Sequence, residues 1–179
     1  MLIAHMPAGY LVSRLIADKT AATTKEARLI LACGLIASIL PDFDLLYFYL
    51  IDNRQTLHHS YWPHIPIYWL VLFPFAYIAT KRWRSIKLAT LTVFANLFTH
   101  LLLDSVAGGI HWGYPVTEDL YHLITIPSQY SHWVLNFVFH WSFSFEILIV
   151  TIAAVRLKKQ LVGCIRPSRL ENGKKKKNP

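Results

Sequence analysis

The segment IKLATLTVFANLFTHLLLD, residues 86–104, decides the fold of this chain. It follows the basic run Lys81, Arg82 and Arg84, carries Lys87 near its start, and stays apolar until His100 and Asp104. A helix needs roughly 20 residues to cross a hydrocarbon core, so this stretch reads as a membrane helix with a basic end and a His/Asp end. Four further apolar segments flank it, at residues 2–17, 24–40, 65–80 and 133–155. The last is long enough to span alone, and the shorter ones end inside the membrane or tilt. Thr23 and Glu26 form an S/T-x-x-E box that starts the second segment, and Pro41 is expected to force Leu40 out of helical geometry.

Composition agrees with this pattern. The 179 residues are 54% hydrophobic, with a mean hydropathy of +0.36, above the range usual for a soluble globule. The net charge of +8 does not indicate nucleic acid, because the basic residues alternate with apolar stretches and form no stripe with exposed aromatics. Their placement reads as topology. If the first segment runs inward, Lys19, Lys25, Arg28, Lys81, Arg82, Arg84, Lys87 and Arg156 fall inside and only Arg54 falls outside, as the positive-inside rule requires. The expected architecture is therefore an all-α, multi-pass membrane bundle. It has about five hydrophobic helices, the N-terminus outside and the C-terminus cytoplasmic. Residues 1–157 form the membrane-embedded domain, and residues 158–179, ending in GKKKK, form a basic, disordered tail near anionic lipid. The N-terminus lacks a basic n-region and is kept as structure and not removed as a signal peptide. Cys33 and Cys164 have neither metal-binding nor disulfide spacing and are taken as inert.

This orientation uses only the basic residues, yet it brings a set of imidazoles and carboxylates to one side. His5 opens the first helix. Asp42 and Asp44 follow the second in LPDFD, residues 40–44, where capping of a short helix at 45–51 is the competing role. His58, His59 and His64 lie in HHSYWPH, residues 58–64, among aromatics that suit a bilayer interface. His100 and Asp104 share one helix face, with Asn96 one turn deeper. Imidazole and carboxylate together are the donor mixture of hydrolytic divalent-metal sites, zinc foremost. Such groups are costly near a membrane unless they face a cavity or a partner. Residues 105–132 make a long connection of the kind that forms lids or binding loops. It contributes His111 as a second-metal candidate, while Glu118, Asp119, His122 and His132 read as surface residues. Two charges within apolar spans, Arg14 and Glu146, are expected to pair near mid-membrane.

Taken together, His5 with Gly9, LPDFD, HHSYWPH followed by IPIYW, THLLLD and GGIHWGYP resemble the YdjM-like family of inner-membrane, metal-dependent hydrolases, over residues 4–115. The resemblance implies that His5, Asp42, His59 (or His58), His64, His100 and Asp104 are the metal-site positions, and that the chain resides in a bacterial inner membrane. The family is in turn distantly similar to zinc-dependent phospholipase C. One departure concerns the family's HRGxTHS element. With His59 as its first histidine, Ser60 and Tyr61 replace the arginine and glycine, and Pro63 replaces the threonine. With His58 first, His59 takes the arginine position.

The expected function is a membrane-bound hydrolase in which a divalent ion activates water against a phosphoester or lipid-linked substrate such as a phospholipid. Asp42 or Asp44 is the base or a second ligand, and the other orients a histidine. Two other readings use the same residues. One is a non-catalytic membrane protein that binds or transports a metal, and the other is a soluble helical zinc hydrolase whose apolar segments pack as its core.

Overall fold

The structure is a computed structural model that describes residues 3–165. Among these residues it is all-helical, with helices α1 (His5–Thr20), α2 (Thr24–Ala37), α3 (Asp44–Leu50), α4 (Pro66–Thr80), α5 (Arg84–Asp104), α6 (Trp133–Val138) and α7 (Phe143–Ile165). Tight 3-10 turns fill Pro41–Phe43, His58–Ser60 and Trp62–His64. Helices α1, α2 and α5 pack on one another, α4 lies against α5, and α7 lies against α1.

Local chemistry sets the ends of these helices. Thr23 Oγ1 accepts the backbone N–H of Glu26 at 3.1 Å, the first half of the expected capping box. The Glu26 carboxylate reaches Ala22 N at 2.7 Å instead of the cap residue itself. Pro66 opens α4 at a position where its missing N–H costs nothing. Leu40 is not driven out of helical geometry: its φ and ψ are −59° and −43°. Pro41 starts a new turn instead, so α2 and the segment from Pro41 to Leu50 meet at a bend of 46°.

The bundle is apolar outside as well as inside. Around Leu97 and Leu101, both fully buried, Ala37, Trp69, Phe94 and Ile110 form the main core. Ser13, Thr92 and Asn96 are also fully buried, and Asn96 Nδ2 donates to Ser13 Oγ at 3.1 Å and to Thr92 O at 2.9 Å. Gly34 permits this closeness, since a Cβ there would lie 1.9 Å from Ser13 Oγ. The outward faces of α4 and α7 expose Leu70, Val71, Phe75, Ile78, Phe145, Leu148 and Ile152. Polar groups between close-packed helices and large apolar side chains outside are what a lipid solvent favours.

Several expectations need correction. Among the described residues α5 is long and apolar enough to cross a membrane, as is the bent pair of α2 with Pro41–Leu50 if it counts as one span; α4 is apolar but shorter. The expected fifth span is broken, because a turn at residues 139–142 separates α6 from α7. There His140 Nδ1 contacts Ser142 Oγ at 2.8 Å and accepts Ser142 N at 3.3 Å, local bonds that compete with a continuous helix. Helix α7 then runs on through residues 158–165, where a disordered tail was expected; residues 166–179 lie outside the described residues. Arg14 pairs with Asp18 at 2.9 Å, one turn along its own helix, and Asp18 also engages Arg156. Glu146 receives backbone amides from the start of the chain instead.

Candidate metal centre

The site is built on the last turn of α5, where His100 and Asp104 stand one above the other with His100 Nε2 3.0 Å from Asp104 Oδ2. The ring is aimed by its other nitrogen: Nδ1 donates to Ser38 O at 2.8 Å, a carbonyl beyond the end of α2. His5 comes from the first turn of α1, its Nε2 3.1 Å from Asp104 Oδ1, and its ring stacks on His100 at a centroid distance of 3.9 Å. Glu146 holds this end of α1 in place, accepting the backbone N–H groups of Ile3 at 2.5 Å and Ala4 at 3.1 Å.

The turns between α2 and α4 supply the rest. His64, fully buried, donates from Nδ1 to Asp44 Oδ2 at 2.8 Å, which turns Nε2 toward the centre. That nitrogen lies 3.4 Å from His100 Nε2, 3.7 Å from Asp104 Oδ2 and 3.8 Å from Asp42 Oδ1. His59 donates from Nδ1 to Gly108 O at 2.9 Å and lies 3.1 Å from Gly109 O, leaving Nε2 3.8 Å from Asp104 Oδ2. His58 sits between the carboxylates, 2.8 Å from Asp44 Oδ1 and 3.5 Å from Asp42 Oδ1. Neither Asp42 nor Asp44 caps α3, whose N-cap residue Phe43 makes no side-chain cap bond.

The donor geometry fits a cation. His64 and His100 each commit Nδ1–H to an oxygen, so their facing Nε2 atoms present two lone pairs to each other across 3.4 Å. Only a proton or a cation between them makes that contact favourable. Histidine ligands are commonly oriented this way, through the second ring nitrogen. Three overlapping sets each bring one donor atom per residue within 4.8 Å of the others in that set: His58, His59 and His64; His5, His100 and Asp104; and Asp42, His64 and His100.

Without an ion the cluster separates its histidines by charge state. Burial disfavours the charged form of His58, but hydrogen bonds to Asp42 and Asp44 outweigh it and raise its pKa to about 9. The same opposition raises His64. His59 is lowered to about 4 by burial, against the pull of Asp104, so it is a neutral ring with Nε2 available.

A cavity of about 430 Å³ opens on the cluster. It is lined by Asp42, His58, His59 and Asp104 together with Leu45, Leu57, Trp133 and Phe137, and by Ala107 and Gly108. Gly108 has no room for a side chain, as a Cβ would lie 2.1 Å from His59 Cε1. His111 joins none of the donor sets; its Nε2 lies 3.0 Å from Ser60 Oγ. In the same loop His122 contacts Thr125 and Asp119 contacts Thr117. His132 accepts Val134 N at the start of α6.

No residue pattern signals the orienting groups Ser38 O and Gly108 O, which are backbone carbonyls. Trp133 and Phe137 were absorbed into an expected span. The basic residues gather at the other ends of the same helices, where Arg84 donates to Thr20 O at 2.5 Å and Ser85 donates to Glu26 at 3.0 Å. Over α5 the two ends are separated by roughly 30 Å at the α-helical rise.

The family described as YdjM inner membrane protein matches residues 1–166, and the chain belongs to this family. No significant match was found among curated proteins or solved structures.

Proposed function

We propose that this YdjM-family inner membrane protein is a metal-dependent hydrolase acting on a phosphoester or lipid-linked substrate. The observation that carries the metal is the 3.4 Å approach of His64 Nε2 to His100 Nε2, each with its Nδ1 already engaged. His64, His100, Asp42 and Asp104 would hold the ion, with His5, His58 and His59 completing the donor set. Zinc is the first candidate from the imidazole and carboxylate mixture. A divalent ion here supplies an acidified water and a Lewis acid for the ester oxygen.

The chain's own groups have separable tasks. Asp42 is the more exposed carboxylate, with 31% of its side chain accessible against 6% for Asp44, and it lines the cavity. A carboxylate oxygen of Asp42 left off the ion would take the proton of an attacking water. Asp44 faces His64 and His58, fixing the ring orientations. Ser38 O and Gly108 O do the same for His100 and His59.

We further propose a multi-pass topology with the site at the outer face. The basic residues support it, because Lys25, Arg28 and Arg84 lie at the ends of α2 and α5 remote from the cluster. A site near headgroup depth suits a substrate with a polar ester and an apolar remainder.

Metal analysis of detergent-purified protein tests the reading. The wild type should carry stoichiometric divalent metal, and His100→Ala and Asp104→Ala should lose it. A wild type without metal overturns the proposal. Metal without turnover on phosphoesters favours a binding or transport protein instead.

A further inference from the structure

We infer that the cavity wall formed by Leu45, Leu57, Trp133 and Phe137 is a subsite for the hydrocarbon chain of an amphiphilic phosphate ester whose phosphate lies on the His/Asp cluster. The inference rests on the cluster being a metal centre. The cavity lining combines two chemistries, the ionisable donors Asp42, His58, His59 and Asp104 and the large apolar side chains Leu45, Leu57, Trp133 and Phe137. Its volume of about 430 Å³ falls within the range of small-molecule sites. None of its lining residues is lysine or arginine, so anion binding there falls to the histidines and an ion held by them. A small hydrophilic phosphate would leave the apolar wall uncovered, and a plain hydrocarbon would leave the carboxylates and imidazoles facing oil. An amphiphile satisfies both.

The rim also points to a lipid-side approach. Leu57 is 62% exposed and Trp133 52%. On the same short helix as Trp133, Leu135 is exposed, and Phe139 is exposed just beyond it. These are apolar groups in an inner membrane protein, so a chain entering between Leu57 and Trp133 passes along side chains that lipid would otherwise cover. The other large cavity, lined by Tyr47, Trp62 and Trp69, is more apolar but reaches the cluster only at Asp44. It serves as the control.

The test compares methyl phosphate with hexyl phosphate on the metal-loaded full-length protein in lipid nanodiscs, by calorimetry. Hexyl phosphate should bind about tenfold tighter or more, since each added methylene gains burial. The difference should collapse in the Trp133→Ala, Phe137→Ala double variant, provided that bound metal is retained. Leu45→Trp, which fills the cavity from α3, should exclude hexyl phosphate even if α6 tolerates alanine poorly. Trp62→Ala should leave the difference in place. Equal affinities in the wild type, no binding of either ester, a difference that survives both cavity variants, or one abolished by Trp62→Ala would each overturn the inference. Turnover is read separately: hexyl-selective binding without hydrolysis keeps the subsite and removes the hydrolase.

Discussion

The carboxylate of Glu146, on α7, accepts the backbone N–H of Ala4 at 3.1 Å, directly before the candidate ligand His5. The same carboxylate takes the N–H of Ile3, and it is only 3% exposed. Charge-assisted bonds of this kind contribute about 1.5–3 kcal/mol each, enough to fix the start of a helix that would otherwise fray. Glu146→Ala should therefore weaken metal binding about tenfold in a chelator competition. In a His5→Ala background it should add almost nothing. An equal loss in both backgrounds would mean that Glu146 acts on the whole bundle and not through His5.

Gly108→Ala should disturb His59, whose ring occupies the space a Cβ needs. Overpacking of this kind costs about 1–3 kcal/mol. The expected result is a lower Tm with a smaller metal-induced rise in Tm than in the wild type. An unchanged metal-induced rise would remove His59 from the donor set.

The raised pKa of His58 gives the metal-free protein a pH signature. Its folded value of about 9 lies above the ordinary 6.5, so its stabilising contribution is complete below about pH 6.5 and lost as pH rises through 9. His59, lowered to about 4, is neutral in the folded and unfolded states over most of that window and adds little. Metal must displace the His58 proton if that ring is a ligand, so affinity should rise over the same interval. Thermal melts at pH 6.5, 7.5 and 9 should show metal-free Tm falling while the gain from metal grows. Parallel curves for the two forms would exclude His58 as a ligand.

Orientation can be read by labelling in a background without Cys33 and Cys164. Gln55→Cys, in the connection carrying the site histidines, should react with an impermeant maleimide added to intact cells. Ser85→Cys, beside Arg84, should react only after permeabilisation. The opposite result reverses the proposed topology.

Most of the helical frame was legible because its boundaries are chemical. Thr23 caps α2, and charges end α1 and begin α5. The gap between α6 and α7 was not, because FVFHWSFSF has no proline, glycine or full charge to mark a break, which arises from bonds between His140 and Ser142. The convergence of His5, Asp42, His64, His100 and Asp104 was legible through the positions of the basic residues, which share no atoms with the site. The way those rings are aimed was not, since Ser38 and Gly108 act through carbonyls that every residue possesses. Glu146 stood out as a charge in an apolar run, but its partners proved to be amides of the N-terminal segment and not Arg14.

The bond between Glu146 and Ala4 also has a meaning in time. Glu146 leaves the ribosome only after His5 and every other candidate ligand. During synthesis α1 can pack on α2 and α5, yet the backbone before His5 must wait for its Glu146 bonds until α7 has been made. A chain cut short before Glu146 would hold all the donors and still lack the clasp that gathers them, so a nascent or truncated product should load metal poorly.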